Sequence, residues 1–224
     1  MALSAFRLVG TVGSNPTPSA NLQSPVHPKV SANHGLHTHR MNVSLPGTLC
    51  LHCGLCCDGT LFRDVELQPG DDAEKLRALG LPLRSRRGEE ANSLKFPQPC
   101  SALCSDLKCR VYADRPTRCR EFECALFKSV AVGKVEVPAA LRTIRQTRQM
   151  AEKVRRLLRE LGDAGERVSL ARRFKRVKRK FDTGELPEGL DAETAYDRFA
   201  ELSLAVHELD MRLRTKFHPD PSDV

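Results

Sequence analysis

The chain has no apolar run approaching the roughly 20 residues needed to cross a bilayer, so no membrane-spanning helix is expected. It also lacks a secretory signal. Ala2 to Gly13 is only mildly apolar, is interrupted by Arg7, and shows no small-residue cleavage site. No acidic residue precedes Asp58. Acid-poor leaders serve as organelle transit peptides, but Arg7, Lys29 and Arg40 are a sparse basic set for that purpose, and Met41 offers a later start. Residues 1–45 are rich in Ser, Pro, Asn and His without periodicity, which predicts a disordered or non-native leader. No internal repeat is visible. There is no H-E-x-x-H, no phosphate-cradling glycine loop and no Ser–His–Asp pattern. The C-x3-C-x2-C triplet of radical enzymes is missing too, and no separate signal for S-adenosylmethionine binding is found. A cytoplasmic protein is expected.

All nine cysteines lie between Cys50 and Cys124. An odd number cannot pair fully within the chain. In a reducing compartment clustered cysteines are more often metal ligands or redox groups than disulfides. The first group, Cys50-Leu-His-Cys53-Gly-Leu-Cys56-Cys57, has the spacing C-x2-C-x2-C-C. Two intervening residues let a tight turn aim two thiolates at one metal, and Gly54 eases that turn. Three cysteines at steps of three also match the opening of a ferredoxin-like run, without its closing C-x3-C-P. The second group is Cys100, Cys104, Cys109, Cys119 and Cys124, crowded by Lys108, Arg110, Arg115, Arg118 and Arg120. Nearby cations favour the thiolate, the form that ligates metal. Neighbouring side chains point apart, so Cys56 and Cys57 more easily serve two centres, or one ligates while the other does redox work. Eight thiols suit two four-cysteine zinc sites, or one iron–sulfur cluster with several thiols left over. No histidine is expected as a ligand: His52 sits inside the motif, His34, His37 and His39 lie in the leader, and His207 lies on a helix.

Around the cysteines, Thr60–Leu67 reads as a short strand ended by Pro69-Gly70, and Asp71 or Asp72 caps a helix to Leu79. Residues 83–99 read as a loop, including Arg84, Arg86, Arg87 and Gly88, until Leu94-Lys95-Phe96 before Pro97. The tail is helical. Pro138 opens a helix to about Leu161, a second runs from about Glu166 to Phe181, and a third begins near Asp191 and ends at His218-Pro219. Ala139 to Phe181 carries 15 Lys and Arg against 4 Asp and Glu, while the whole chain is +8, so the positive charge is concentrated there. The run Arg172 to Lys180 could bind nucleic-acid phosphates or an acidic partner, or be a solvated face of a helical bundle.

The motifs C-L-H-C-G-L-C-C at 50–57, C-S-A-L at 100–103, C-R-V-Y at 109–112 and R-P-T-R-C-R-E-F-E-C at 115–124 resemble the YkgJ-type cysteine-cluster family, the zinc- or iron-chelating CxxCxxCC proteins. The resemblance covers roughly residues 48–127. It implies metal ligation by Cys50, Cys53, Cys56, Cys57, Cys100, Cys109, Cys119 and Cys124, and leaves Cys104 as an extra thiol or a replacement partner. Related cysteine-cluster proteins include flagellin lysine methylases.

The resulting expectation is a small, loop-rich α+β metal-bound module over residues 46–127, followed by a mainly α-helical basic tail over residues 138–217. The tail either packs back on the module or forms its own bundle. The cofactor is an iron–sulfur cluster or zinc. Three roles follow: a metal-binding protein without its own catalysis, a cluster-dependent enzyme of redox chemistry or protein lysine methylation, or a nucleic-acid-associated zinc module.

Overall fold

A computed structural model describes residues 45–85 and 94–218. The leader, with its three histidines, and the Arg86-Arg87-Gly88 segment lie outside the described residues.

The chain first forms α1 (Leu45–Cys53), which Gly54 stops by turning left-handed at φ +69°. The Gly54 carbonyl accepts from the Cys57 and Asp58 amides, both at 2.9 Å, so the end of the cysteine motif is wound into a tight turn. Next come β1 (Asp64–Glu66), α2 (Ala73–Ala78), β2 (Arg84–Ser85) and β3 (Leu94–Pro97). The strands form an antiparallel sheet of order β1-β3-β2, with Val65 opposite Phe96. Asp72 caps α2 as its sequence suggests, accepting from the Lys75 amide at 2.9 Å. The segment expected to be loop, 83–99, instead supplies β2 and β3, because β3 pairs with residues 64–66 along one edge and with β2 along the other.

A 3-10 turn (Tyr112–Asp114), α3 (Thr117–Glu121) and α4 (Ala125–Ala131) complete the cysteine-bearing half. The tail is α5 (Val137–Glu160), α6 (Leu170–Asp182) and α7 (Ala192–Lys216). Pro138 lies in the first turn of α5 and Asp191 caps α7, accepting from the Thr194 amide. Helix α6 starts at Leu170, where its apolar stripe begins, four residues after the expected start near Glu166.

Two hydrophobic cores result. The larger runs through Leu49, Leu55, Leu61 and Leu126 into Ile144, Val154, Leu157, Leu202, Leu209, Leu213 and Phe217. Helix α5 is its spine: its buried residues recur at steps of three and four, and α1, α4, α6 and α7 all pack on it. The tail therefore packs back on the cysteine-bearing half. Phe199 stacks on Phe181 at 4.3 Å between ring centres, closing α6 on α7. The smaller core is Leu67, Leu76, Leu81, Phe96, Ala102 and Val111.

One close backbone approach of the two halves is at Gly59. Its carbonyl accepts from the Leu170 amide at 3.0 Å, and a Cβ there would stand 3.0 Å from the Ser169 Cα and 3.2 Å from Pro99. Its φ is +78°, a conformation that costs an L-residue roughly 1–2 kcal/mol. Gly70 has φ +93° but open space around it. In urea unfolding, Gly59→Ala is expected to lose clearly more stability than Gly70→Ala; equal losses would show that the close approach does not constrain the fold.

Candidate metal centre

The eight cysteines singled out by sequence fall into two neighbourhoods. In the first, Cys50 and Cys53 are one turn apart on α1, and side chains three residues apart share a helix face. Cys56 follows the Gly54 turn. Cys124 caps α4, which packs on α1. Cys53, Cys56 and Cys124 lie against the larger core. In the second neighbourhood, the Cys100 amide donates to the Cys57 carbonyl at 2.7 Å. Cys109 bridges to Leu103, whose amide donates to the Cys100 carbonyl at 3.1 Å. Cys119 sits on α3, which is tied to the turn before α2: the Asp71 carboxylate accepts from both the Thr117 amide and hydroxyl at 2.8 Å. Cys100, Cys109 and Cys119 lie against the smaller core.

Electrostatics divides the thiols the same way. Burial, and then the charges of Cys124, Cys50 and Asp58, push the Cys53 thiol up to about 12, against an opposing amide bond from Leu55. Cys56 is raised strongly by burial and by Cys53, its neighbour Cys57, Cys124 and Cys50. Cys57 is raised by burial and then by Cys100, Cys119 and Cys109. Cys119 reaches about 12 through burial, Cys100 and Cys109. Burial raises Cys50, Cys100 and Cys124 as well. The chain's own cations therefore do not win the thiolate form, contrary to the expectation from the crowded arginines. Arg115 does lower Cys50 and Cys119, and Arg110 lowers Cys100, but desolvation is larger in each case. Lys108 is engaged instead with Asp106 at 2.9 Å, and Arg120 with the Arg115 carbonyl at 2.8 Å.

Three of the thiols receive amide donors from the turn that follows them. Leu55 donates toward Cys53, Ala102 and Leu103 toward Cys100, and Leu126 and Phe127 toward Cys124, the last at 3.4 Å. Such N–H groups stabilise negative sulfur, and outer-shell bonds of this kind orient metal ligands. The Arg115 Nε is buried without a hydrogen-bond partner, beside Cys50 and Cys119, while its guanidinium stacks 3.9 Å over Tyr112. A thiolate sulfur is the acceptor it lacks. Half-buried thiols with waiting donors and too little positive charge suit a dication or an iron–sulfur cluster. As placed, no three His, Cys, Asp or Glu side chains among the described residues stand in a group that could hold an ion. The thiols of each set are neighbours without converging on one point.

Cys104, exposed like Cys50, lies in a loop closed by its amide donating to the Lys108 carbonyl at 2.8 Å. Leu107 in that loop holds φ +68° and reaches back, so that a Cβ on Gly54 would stand 3.1 Å from its Cδ2. His52 and His207 are exposed. Sequence reasoning missed Arg148, whose Nη1 donates to the Cys53 carbonyl at 2.8 Å, and Arg155, which holds Asp58 at 2.8 Å. Both come from α5, far along the chain, and nothing in the local sequence marks them.

The basic run on α6 is largely satisfied internally. Of its seven cations, five are paired: Arg172 with Asp64, Arg173 and Arg176 with Asp163, Lys178 with Asp182, and Lys180 with Glu185. No helix among the described residues is long and apolar enough to cross a membrane.

Residues 49–152 match the family model CxxCxxCC, described as "Putative zinc- or iron-chelating domain". The match extends past the last cysteine into α5, the helix that supplies Arg148. No curated protein and no solved structure matches the chain.

Proposed function

We propose, on the match of residues 49–152 to the zinc- or iron-chelating family model, that the chain is a metal-holding protein. Its ligands are the thiolates of Cys50, Cys53, Cys56, Cys57, Cys100, Cys109, Cys119 and Cys124. One observation carries this reading: six of these thiols, Cys53, Cys56 and Cys124 on one side and Cys100, Cys109 and Cys119 on the other, pack against the two cores, and three of them receive amide donors. An all-thiolate set suits zinc or an iron–sulfur centre equally. Ligation calls for rotation of the thiols about their Cα–Cβ bonds, since the sulfurs do not yet converge. When bound, the metal supplies the positive charge that the thiolates lack, and the chain's part is to present and orient the sulfurs. The pairing of five of the seven α6 cations leaves little of that run for nucleic-acid phosphates, so the metal reading is preferred to a nucleic-acid one.

The test is anaerobic purification followed by metal analysis, acid-labile sulfide and a visible spectrum. Iron with sulfide identifies a cluster, and stoichiometric zinc a zinc–thiolate site. Cys53→Ser and Cys119→Ser are expected to lower metal content, whereas Cys104→Ser leaves it unchanged. Equal loss in all three would contradict the ligand set.

A further inference from the structure

We propose, on the basis of that metal-holding reading, that the eight thiols build two four-cysteine centres that share one peptide bond: Cys50, Cys53, Cys56 and Cys124 form one, and Cys57, Cys100, Cys109 and Cys119 the other. The sequence leaves open whether the thiols serve one centre or two.

The first argument is where the backbone puts them. Cys50, Cys53 and Cys56 follow one another along α1 and its terminating turn, and α4 brings Cys124 alongside through its packing on α1. None of Cys100, Cys109 and Cys119 belongs to an element that packs on α1 in this way. They are held instead by the Cys57–Cys100 backbone bond, the Leu103–Cys109 bridge and the Asp71–Thr117 clamp on α3.

The second argument is which core each set touches. Cys53, Cys56 and Cys124 pack on the core built around α5 and α7. Cys100, Cys109 and Cys119 pack on the core formed by α2, β3 and the residues around Val111. The two cores are separate clusters, so the two thiol sets face different apolar walls.

The third argument is the junction. Side chains of adjacent residues leave a helical turn in different directions, about 100° apart. Cys56 goes with the first set and Cys57 with the second, and the Cys57 carbonyl is the acceptor for Cys100. The doubled cysteine at the end of the motif is then a requirement of the architecture. It lets a single turn deliver a separate thiolate to each of two centres. The Arg115 charge favours the thiolate of one cysteine of each set, Cys50 and Cys119.

The test uses the full chain, reduced and metal-free, titrated with zinc and read by native mass spectrometry. Cobalt(II) replaces zinc in a parallel titration, to report thiolate coordination by its charge-transfer absorption. The wild-type chain is expected to take two ions. Cys124→Ser and Cys119→Ser are each expected to take one, and the double variant none. A wild-type chain that saturates at one ion would overturn the two-centre assignment while leaving metal binding intact. So would single variants whose double combination still takes one ion, because both would then have disabled the same centre. A wild-type chain that takes no ion would overturn the metal-holding reading itself. Should the variants fail to fold, alkylation of the zinc-saturated wild-type protein decides: Cys104 alone is expected to react rapidly, and four further reactive thiols would show that only one centre exists.

Discussion

Chelation of the metal from the reduced protein at neutral pH is expected to open the smaller lobe, residues 64–121, while the α5–α7 assembly stays folded. The smaller core rests on six buried apolar residues, whereas the larger one is spread over three long helices. Metal binding to four thiolates supplies an apparent free energy of about 10–16 kcal/mol at pH 7 in small zinc domains. That is comparable to the whole stability of a typical domain, about 5–15 kcal/mol. The smaller lobe therefore depends on its metal far more than the helices do. Hydrogen exchange is the direct readout: amides of 64–121 are expected to lose protection on chelation and those of 137–217 to keep it. Unchanged protection in both would show that the metal is not structural.

The same prediction has a pH signature. In the metal-free fold, burial and mutual repulsion raise the thiols above the unfolded value of about 8.5. Their neutral form is favoured by folding. That contribution is complete below about pH 8.5 and is lost as the pH rises toward the folded values, about 12 for Cys53 and Cys119. The metal-bound form responds in the opposite sense. Metal must displace thiol protons, so acid releases it. Alkali thus weakens the metal-free protein and acid the metal-bound one.

Asp163→Ala is expected to destabilise the protein by about 3–5 kcal/mol, the cost of leaving a buried charge without its partner. The Asp163 carboxylate accepts from Arg173 Nε at 2.9 Å and Arg176 Nε at 2.6 Å, and the Arg173 side chain is only 1% exposed. The Asp163 carbonyl accepts a further bond from Arg173 at 2.6 Å. This cluster ties the turn after α5 to the middle of α6. Burial alone pushes the Asp163 carboxyl up, but the bonds from Arg176 and Arg173 outweigh it, and its net shift is downward. The stabilisation is accordingly present above the unfolded carboxylate value of about 3.9 and lost as the pH falls through the lower folded value. Asp182→Ala, which removes an exposed helical pair with Lys178, is expected to cost only about 0.3–0.5 kcal/mol. Urea unfolding followed by circular dichroism compares the two. A loss at Asp163 no greater than at Asp182 would contradict the account of the buried pair.

The sequence revealed features whose cause is local. Asp72 and Asp191 cap helices because their own side chains reach an amide three residues on. Pro138 marks the start of α5, and the stripe Leu170, Phe174, Val177 and Phe181 marks α6. The cysteine spacing revealed the ligand candidates. Hidden features were of two kinds. Helix α1 contains Pro46 and Gly47 and no apolar periodicity, and α3 and α4 are too short to display one. The others depend on distant partners: β2 and β3 form by pairing across the chain, and the α6 cations find acids at Asp64, Asp163, Asp182 and Glu185. The division of the thiols belongs to this second kind. Spacing brings Cys56 and Cys57 together, and only the fold separates them.

The central claim, that the clustered cysteines exist to hold metal, is tested most directly by metal analysis of the anaerobically purified full chain, with free thiols counted in the same sample. Bound zinc or iron is expected, with Cys104 as the only rapidly reacting thiol until a chelator is added. A metal-free protein with all nine thiols reactive, which takes up neither metal on reconstitution, would contradict the account.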